Sequence, residues 1–189
     1  MAGHTIIADV GAAICNLLRQ EMVPDTIMNP DTIGLCNPAD KGNIILGLHL
    51  YDIKESEEIR VNDMIDREPN KQQYPSTYLS LFYMMTAFST VDVKFRAEEN
   101  HRILGKAMQV LQDNAVFSAE TLTPVEAARG TNLRIQMLNL DAEVKHRLWT
   151  FPNLPYSLTV FYKVSPIELE STRIRTVRRV VDMEISAKE

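Results

Sequence analysis

EENHRILGKAMQVLQDNAVF, residues 98–117, has the clearest helical period in the chain. Leu104, Ala107, Met108, Leu111 and Ala115 recur at helical spacing, and Ile103 and Val110 widen that stripe. Arg102, Lys106, Gln109 and Asp113 gather on the opposite side. Glu98 precedes Arg102 by four residues, the favourable order for a surface ion pair. A long helix with one apolar face needs a surface to lie on, and the segments on either side of it have to supply a sheet.

Immediately before it, residues 76–88 read as a strand in which Tyr78, Ser80, Phe82 and Met84 alternate with Leu79, Leu81, Tyr83 and Met85. Apolar side chains on both faces predict a central strand, covered by helix on one side and by another layer on the other. Residues 42–53 form a second strand, with Ile44, Leu46, Leu48 and Leu50 on one face and Ile45, Gly47, His49 and Tyr51 on the other. Downstream, residues 132–138 place Leu133, Ile135 and Met137 inward. Residues 156–164 and 173–185 read as further strands, the last with Val177, Val181, Met183 and Ile185 on one face. Two more helices complete the set. Residues 5–22, capped by Thr5 and stopped by Pro24, bury Ile6, Val10, Ala13 or Ile14, Leu17 and Leu18. Residues 142–150, capped by Asp141, bury Val144, Leu148 and Trp149. Residues 25–39 are an irregular connection with a short extended piece at 32–36, residues 54–73 are a solvated loop or hairpin tip, and residues 118–130 are a connection.

The expected fold is α+β: a single mixed, mostly antiparallel sheet with two long helices and one short helix packed on it. Residues 1–167 form the domain, and residues 168–189 form a C-terminal strand or arm packed on the domain or on a neighbour. A chain of 189 residues holds one sizeable core and is short for two. The net charge of −5 gives no general attraction to nucleic acid. No apolar run approaches the ~20 residues of a membrane helix, and the first residues do not read as a signal peptide. Cys15 and Cys36 make no disulfide framework and fit a reducing compartment.

Catalytic and metal-binding patterns are absent from the sequence. His4, His49, His101 and His146 never reach ligand spacing on one helix face, and neither cysteine has a neighbouring histidine. The seven glycines form no phosphate-cradling loop. Glu57, Glu58, Asp63 and Asp66 could collect a cation, but a mixed charge run in a loop reads as a solvated surface. No cofactor is implied, and the chain does not read as an enzyme. Trp149 reads as core rather than as an interface anchor. Two stretches do suggest partners. Arg173, Arg175, Arg178 and Arg179 concentrate positive charge on a last strand, either to pair with another chain or to prevent such pairing. Residues 55–67 form a charged loop long enough to reach a neighbour.

The segments YLSLFYMMTAFS (78–89), ENHRILGKAMQVLQDNAVF (99–117) and LRIQMLNLDAEVKHRLWTFPNLPYSLTVFYKV (133–164) together resemble the cap proteins of contractile injection systems, of the antifeeding-prophage and virulence-cassette type. His101-Arg102-Ile103-Leu104-Gly105, Leu111 to Asn114, Leu148-Trp149 and Pro155-Tyr156 carry the likeness through their order and spacing. It runs over nearly the whole chain and is weakest at residues 25–39 and 54–73. The resemblance implies a tail-terminator-like fold and a structural cap: a homo-oligomeric, six-fold ring that ends the inner tube and anchors the last layer of the sheath. The implied partners are the tube and sheath proteins, and the implied place of assembly is the cytoplasm. Longer members carry a region beyond the shared domain, whereas this sequence ends at Glu189, which leaves open a second cap or adaptor protein. A neck or adaptor ring protein and a non-enzymatic binding module are the alternative readings. From charge and exposure, independent of the resemblance, the expected partner contacts are Glu57, Glu58, Arg60, Arg175, Arg178 and Arg179.

Overall fold

A computed structural model of the chain describes residues 3–57, 59, 61–68, 70–117 and 132–176. The chain opens with helix α1 (Ile6–Met22). Thr5 occupies the cap position, but its backbone is already helical and its hydroxyl makes no capping hydrogen bond, because the cap requires an extended residue to aim its oxygen at the first turn. The end of the helix is as expected: Val23, ahead of Pro24, is extended. A single 3₁₀ turn leads into β1 (Ile33–Leu35). Arg19 ties this piece to α1, donating to the carbonyls of Ile33 at 2.6 Å and of Pro30 at 3.0 Å.

The main sheet takes its other strands from β2 (Leu46–Glu55), β5 (Thr77–Ala87), β6 (Val116–Phe117), β7 (Leu133–Met137) and β8 (Thr159–Leu169). Its order is β1-β2-β5-β8-β7-β6, antiparallel throughout except for the parallel β1–β2 pair. Between β2 and β5 the chain makes a hairpin of β3 (Ile65–Glu68) and β4 (Lys71–Gln73), and β9 (Ile174–Thr176) joins it to give a second sheet, β3-β4-β9. The mixed α+β architecture is as expected, and the small second sheet is an addition to it.

Strand β5 is central, and both its faces are buried. On one face Leu81, Tyr83 and Met85 meet Leu48, Tyr162, Val164 and the two long helices, through Ile14, Leu18, Leu104 and Leu111. On the other face Met84 packs with Phe161 and Trp149, and Tyr51, Phe151 and Leu154 close around them. Trp149 is therefore core, with its indole N–H donating to the Leu154 carbonyl at 3.3 Å. It follows the short helix α3 (Ala142–Leu148), which lies over this far face. Asp141 stands at the α3 cap, but its carboxylate does not bond the helix.

Several expected boundaries move, each for a local reason. Helix α2 (Val93–Asp113) begins five residues before residue 98, because Asp92 caps it by accepting from the Lys94 N–H at 3.0 Å. It stops at Asp113, so Ala115 lies beyond the helix, and its carbonyl accepts from the Ile135 N–H instead. Arg102 pairs with Glu99 at 2.9 Å rather than with Glu98, an exposed pair of small energetic weight. Strand β8 starts at Thr159 rather than 156, because Tyr156 stacks on His146 at 4.3 Å and meets Trp149 edge-on, and Leu158 is left exposed. Met137 lies opposite Tyr162 on the helix side but is 47% exposed, at an end of the sheet that α2 leaves uncovered. In β2 a register shift between Leu50 and Asp52 breaks the alternation, so that Ile53 pairs with Leu81. Of the last predicted strand, residues 174–176 are strand; Val177, Val181, Met183 and Ile185 lie outside the described residues.

The helix-covered face buries ionisable groups in their neutral forms. Burial pushes the Cys15 thiol up to about 11 and Tyr162 up to about 12, and it raises Tyr83 as well, with Cys15 adding to that shift. A thiol or phenol whose folded pKa exceeds its unfolded value stabilises the fold below the unfolded pKa, and that stability is lost as pH rises. Stability should therefore hold up to about pH 9 and fall above it, as the unfolded chain releases protons that the folded chain keeps. Chemical denaturation repeated from pH 7 to 11 checks this. A flat profile would mean that Cys15 and Tyr83 are solvated.

Candidate interaction surfaces

At one end of the main sheet the three central strands run out together and re-form. Past Ser56 the chain of β2 leads into β3, β4 leads back into β5, and β8 leads on to β9. The order β3-β4-β9 thus repeats the order β2-β5-β8, and the small sheet is an arm that continues the same three ribbons. The join is marked by the Ser56 N–H donating to the Tyr78 carbonyl at 2.7 Å and by the Tyr74 N–H donating to Arg173 O at 3.0 Å.

The arm is held by polar contacts rather than by a core. Gln73, only 7% exposed, is its hub: its carboxamide oxygen accepts from Arg67 and its NH₂ donates to the Ser171 carbonyl. Gln72 donates to Asp66 at 3.0 Å, and Lys71 pairs with Glu68 at 2.9 Å. The guanidinium of Arg173 lies over the Tyr74 ring at 4.3 Å. The neutral Gln73–Ser171 hydrogen bond contributes a net of about 0.5–1.5 kcal/mol and each bond to a charged group about 1.5–3 kcal/mol at most, less where it is exposed, which orders the arm without giving it a core.

This topology brings together two segments that the sequence singled out separately. Arg175 stands on β9 in register with Gln72 of the hairpin, exposed and with no ion-pair partner among the described residues. Glu57 sits exposed where the hairpin leaves the body. Glu58, Arg60, Arg178 and Arg179 lie outside the described residues. A cleft of about 370 Å³ at the base of the arm runs between Glu55, Val61, Asn62, Ser76 and Tyr78. Spacing in the sequence could not reveal the pairing, because β4 and β9 are roughly a hundred residues apart and neither has an apolar face.

A second cavity, about 480 Å³, opens between the start of α1 and the short β1 edge, lined by Ile7, Leu35, Cys36, Leu48 and Tyr83 among others. Its Cys36 thiol is pushed up by burial, as is the Tyr83 hydroxyl. An activated nucleophile requires the opposite shift. The His49 ring is turned onto Phe151, and His146 bonds the Ala142 carbonyl and stacks on Tyr156. Among the described residues, no three of His, Cys, Asp or Glu gather closely enough to hold a metal ion. No helix among them is long and apolar enough to cross a membrane.

The surface therefore offers partners a charged arm and a rigid body, and the sequence as a whole matches one family description. Residues 9–182 fit the model of the Pvc16 N-terminal domain. The chain belongs to that family. Two solved structures share the fold of this Pvc16 N-terminal domain. One is the PVC sheath/tube terminator of an extracellular contractile injection system in its extended state, at 15% identity and a TM-score of 0.68, over 100% of this chain and 65% of that one. The other is the tube-terminating cap of the anti-feeding prophage, at 14% identity and a TM-score of 0.59, over 95% of this chain and 61% of that one. The chain thus spans a little under two thirds of the length of each. No protein of curated function matches it significantly in sequence.

Proposed function

We propose that the chain is a structural cap, a terminator subunit that ends the inner tube of a contractile injection particle and anchors the last layer of its sheath. The observation that carries this reading is that the fold match to a sheath/tube terminator covers the whole of this chain. Such a role needs no active site. It needs a rigid domain repeated by heterologous contacts around a closed ring, here six-fold, with one ring face that matches the tube and one that does not propagate it. The two-faced core supplies the rigidity. The arm supplies a surface unlike the opposite end of the sheet, and Glu57, Glu58, Arg60, Arg175, Arg178 and Arg179 are the chain's proposed contacts with tube or sheath. Residues 168–189 act in this reading as a C-terminal strand or arm. Assembly takes place in the cytoplasm, and the subunit then remains part of the particle.

Electron microscopy of particles from cells with and without the chain tests the proposal. Tubes of uncontrolled length, or sheaths that fail to persist, are expected in its absence. Normally capped particles without it would remove the terminator role and leave the fold alone as the shared property.

A further inference from the structure

Tyr83 of β5 is 1% exposed, yet its hydroxyl makes no hydrogen bond to any described residue. A buried phenol ordinarily finds a partner for its O–H, because an unpaired polar group is costly to take out of water. Tyr83 instead lines the cavity of about 480 Å³ that opens between the start of α1 and the β1 edge. Its hydroxyl lies beneath Gly11: a Cβ at that position would stand 3.3 Å from the oxygen and 3.0 Å from the Leu35 methyls. The phenol keeps its proton, since burial raises it, and so acts as a donor held in place by the sheet.

The rest of the wall is largely apolar. Ile7 and Ala8 come from α1, Leu35 from β1, and Leu48 and Leu50 from β2, with Leu50 the cross-strand neighbour of Tyr83. No carboxylate, lysine or arginine is among the lining residues. Cys36 and His49 border the cavity and are uncharged at neutral pH, as burial raises the thiol and lowers the imidazole; His4 stands exposed at the rim. A concave apolar wall with few convergent polar groups, at a volume within about 300–1,000 Å³, is the general form of a small-molecule site. The adjoining edge argues against an extended chain as the occupant. The Ile33 N–H donates to the Pro30 carbonyl, and the Ile33 carbonyl accepts from Arg19 at 2.6 Å, so both groups it would offer an added strand are taken. Only three residues of β1 exist to hold such a strand.

We infer that this cavity binds an uncharged, largely apolar small molecule carrying one hydrogen-bond acceptor, a carbonyl or ether oxygen, that takes the Tyr83 O–H. The site is independent of the terminator reading. Its occupant touches α1, β1 and β2 together, and by binding only the folded chain it raises stability as its concentration exceeds Kd.

One probe and two variants test this. The probe is Prodan, a neutral naphthalene ketone whose emission shifts to the blue in apolar surroundings. Saturable binding of one probe per chain is expected, with a matching rise in the thermal midpoint. Tyr83→Phe removes the donor and keeps the ring. It should weaken binding about three- to tenfold, the worth of one neutral hydrogen bond. Without probe, this variant should unfold no more easily than the parent, because the hydroxyl serves no contact within the fold. Ala8→Trp, at an exposed position of α1, should abolish binding by filling the mouth, with circular dichroism unchanged. No saturable binding up to the solubility limit of the probe would overturn the inference. So would an affinity that Tyr83→Phe leaves unchanged, or binding retained in Ala8→Trp, which would put the probe elsewhere. A probe-free Tyr83→Phe chain markedly less stable than the parent would also overturn it, by giving the hydroxyl a role in the fold. Tube length in cells lacking the chain judges the cap separately.

Discussion

Replacing Phe161 with alanine should lower the stability of the domain by about 3–5 kcal/mol. Phe161 is 1% exposed at the start of β8, where it pairs across the sheet with Met84. Its ring meets Tyr51 edge-on at 5.6 Å, and with Met84 and Trp149 it forms the buried centre of the far face. That layer is thin. Among the described residues it is covered by α3 and the chain on either side of it, through Leu138, Leu140, Leu148, Phe151 and Leu154, so a missing ring there leaves a cavity that neighbouring strands cannot close. Urea denaturation followed by the fluorescence of Trp149, the one tryptophan of the chain, reads the loss at the right place. The midpoint should fall with the slope unchanged, since the surface exposed on unfolding is nearly the same. A loss under about 1 kcal/mol would mean that α3 and Trp149 cover the sheet without packing against it.

What the sequence made legible follows from where burial is regular. Strand β5 could be placed because Leu81, Tyr83, Met84 and Met85 are apolar on both faces, a pattern that only a twice-covered strand produces. The Trp149 assignment succeeded for a related reason: Leu148 and Trp149 end a helix too short to bury anything unless it lies on a sheet. Periodicity failed where a regular element has no buried face. The first turns of α2 are helical but exposed all round, so the helix seemed to begin where its burial begins. The arm was harder still. Lys71-Gln72-Gln73 carries no strand signal of its own, and it becomes β4 because Ile65–Glu68 and Ile174–Thr176 bring backbone partners to both its edges. The candidate residues Glu57 and Arg175 could thus be chosen by charge, but their presence on one arm is a property of topology.

Excising the hairpin should separate folding from capping. Residues 58–76 can be replaced by Asn-Gly, which joins Glu57 to Thr77 by a two-residue hairpin turn in the register that pairs Glu55 with Leu79. No residue of either apolar cluster lies within that segment, so what is lost is the polar network around Arg67, Asp66 and Lys71. The expected cost to stability is no more than about 2 kcal/mol, with the Trp149 fluorescence unchanged. Capping, by contrast, should be lost outright, with cells carrying the excised chain producing the same uncontrolled tubes as cells that lack it. Reversing the basic charges with Arg175→Glu, Arg178→Glu and Arg179→Glu should give a graded form of the same defect while the fold stays intact. Normal tubes from the excised chain would show that the arm is dispensable. The proposed partner contacts on it would then be wrong, even though the fold and the terminator reading could both stand. The distinction matters because the two ends of this sheet differ in the kind of contact they can make. The start of α2 exposes the apolar side chains of Val93 and Phe95 on opposite sides of the helix. The arm offers exposed charge on short polar strands, which favours orientation and selectivity over raw affinity. The fold holds these two surfaces at opposite ends of its three central strands, so excising the hairpin removes one of them and leaves the other in place.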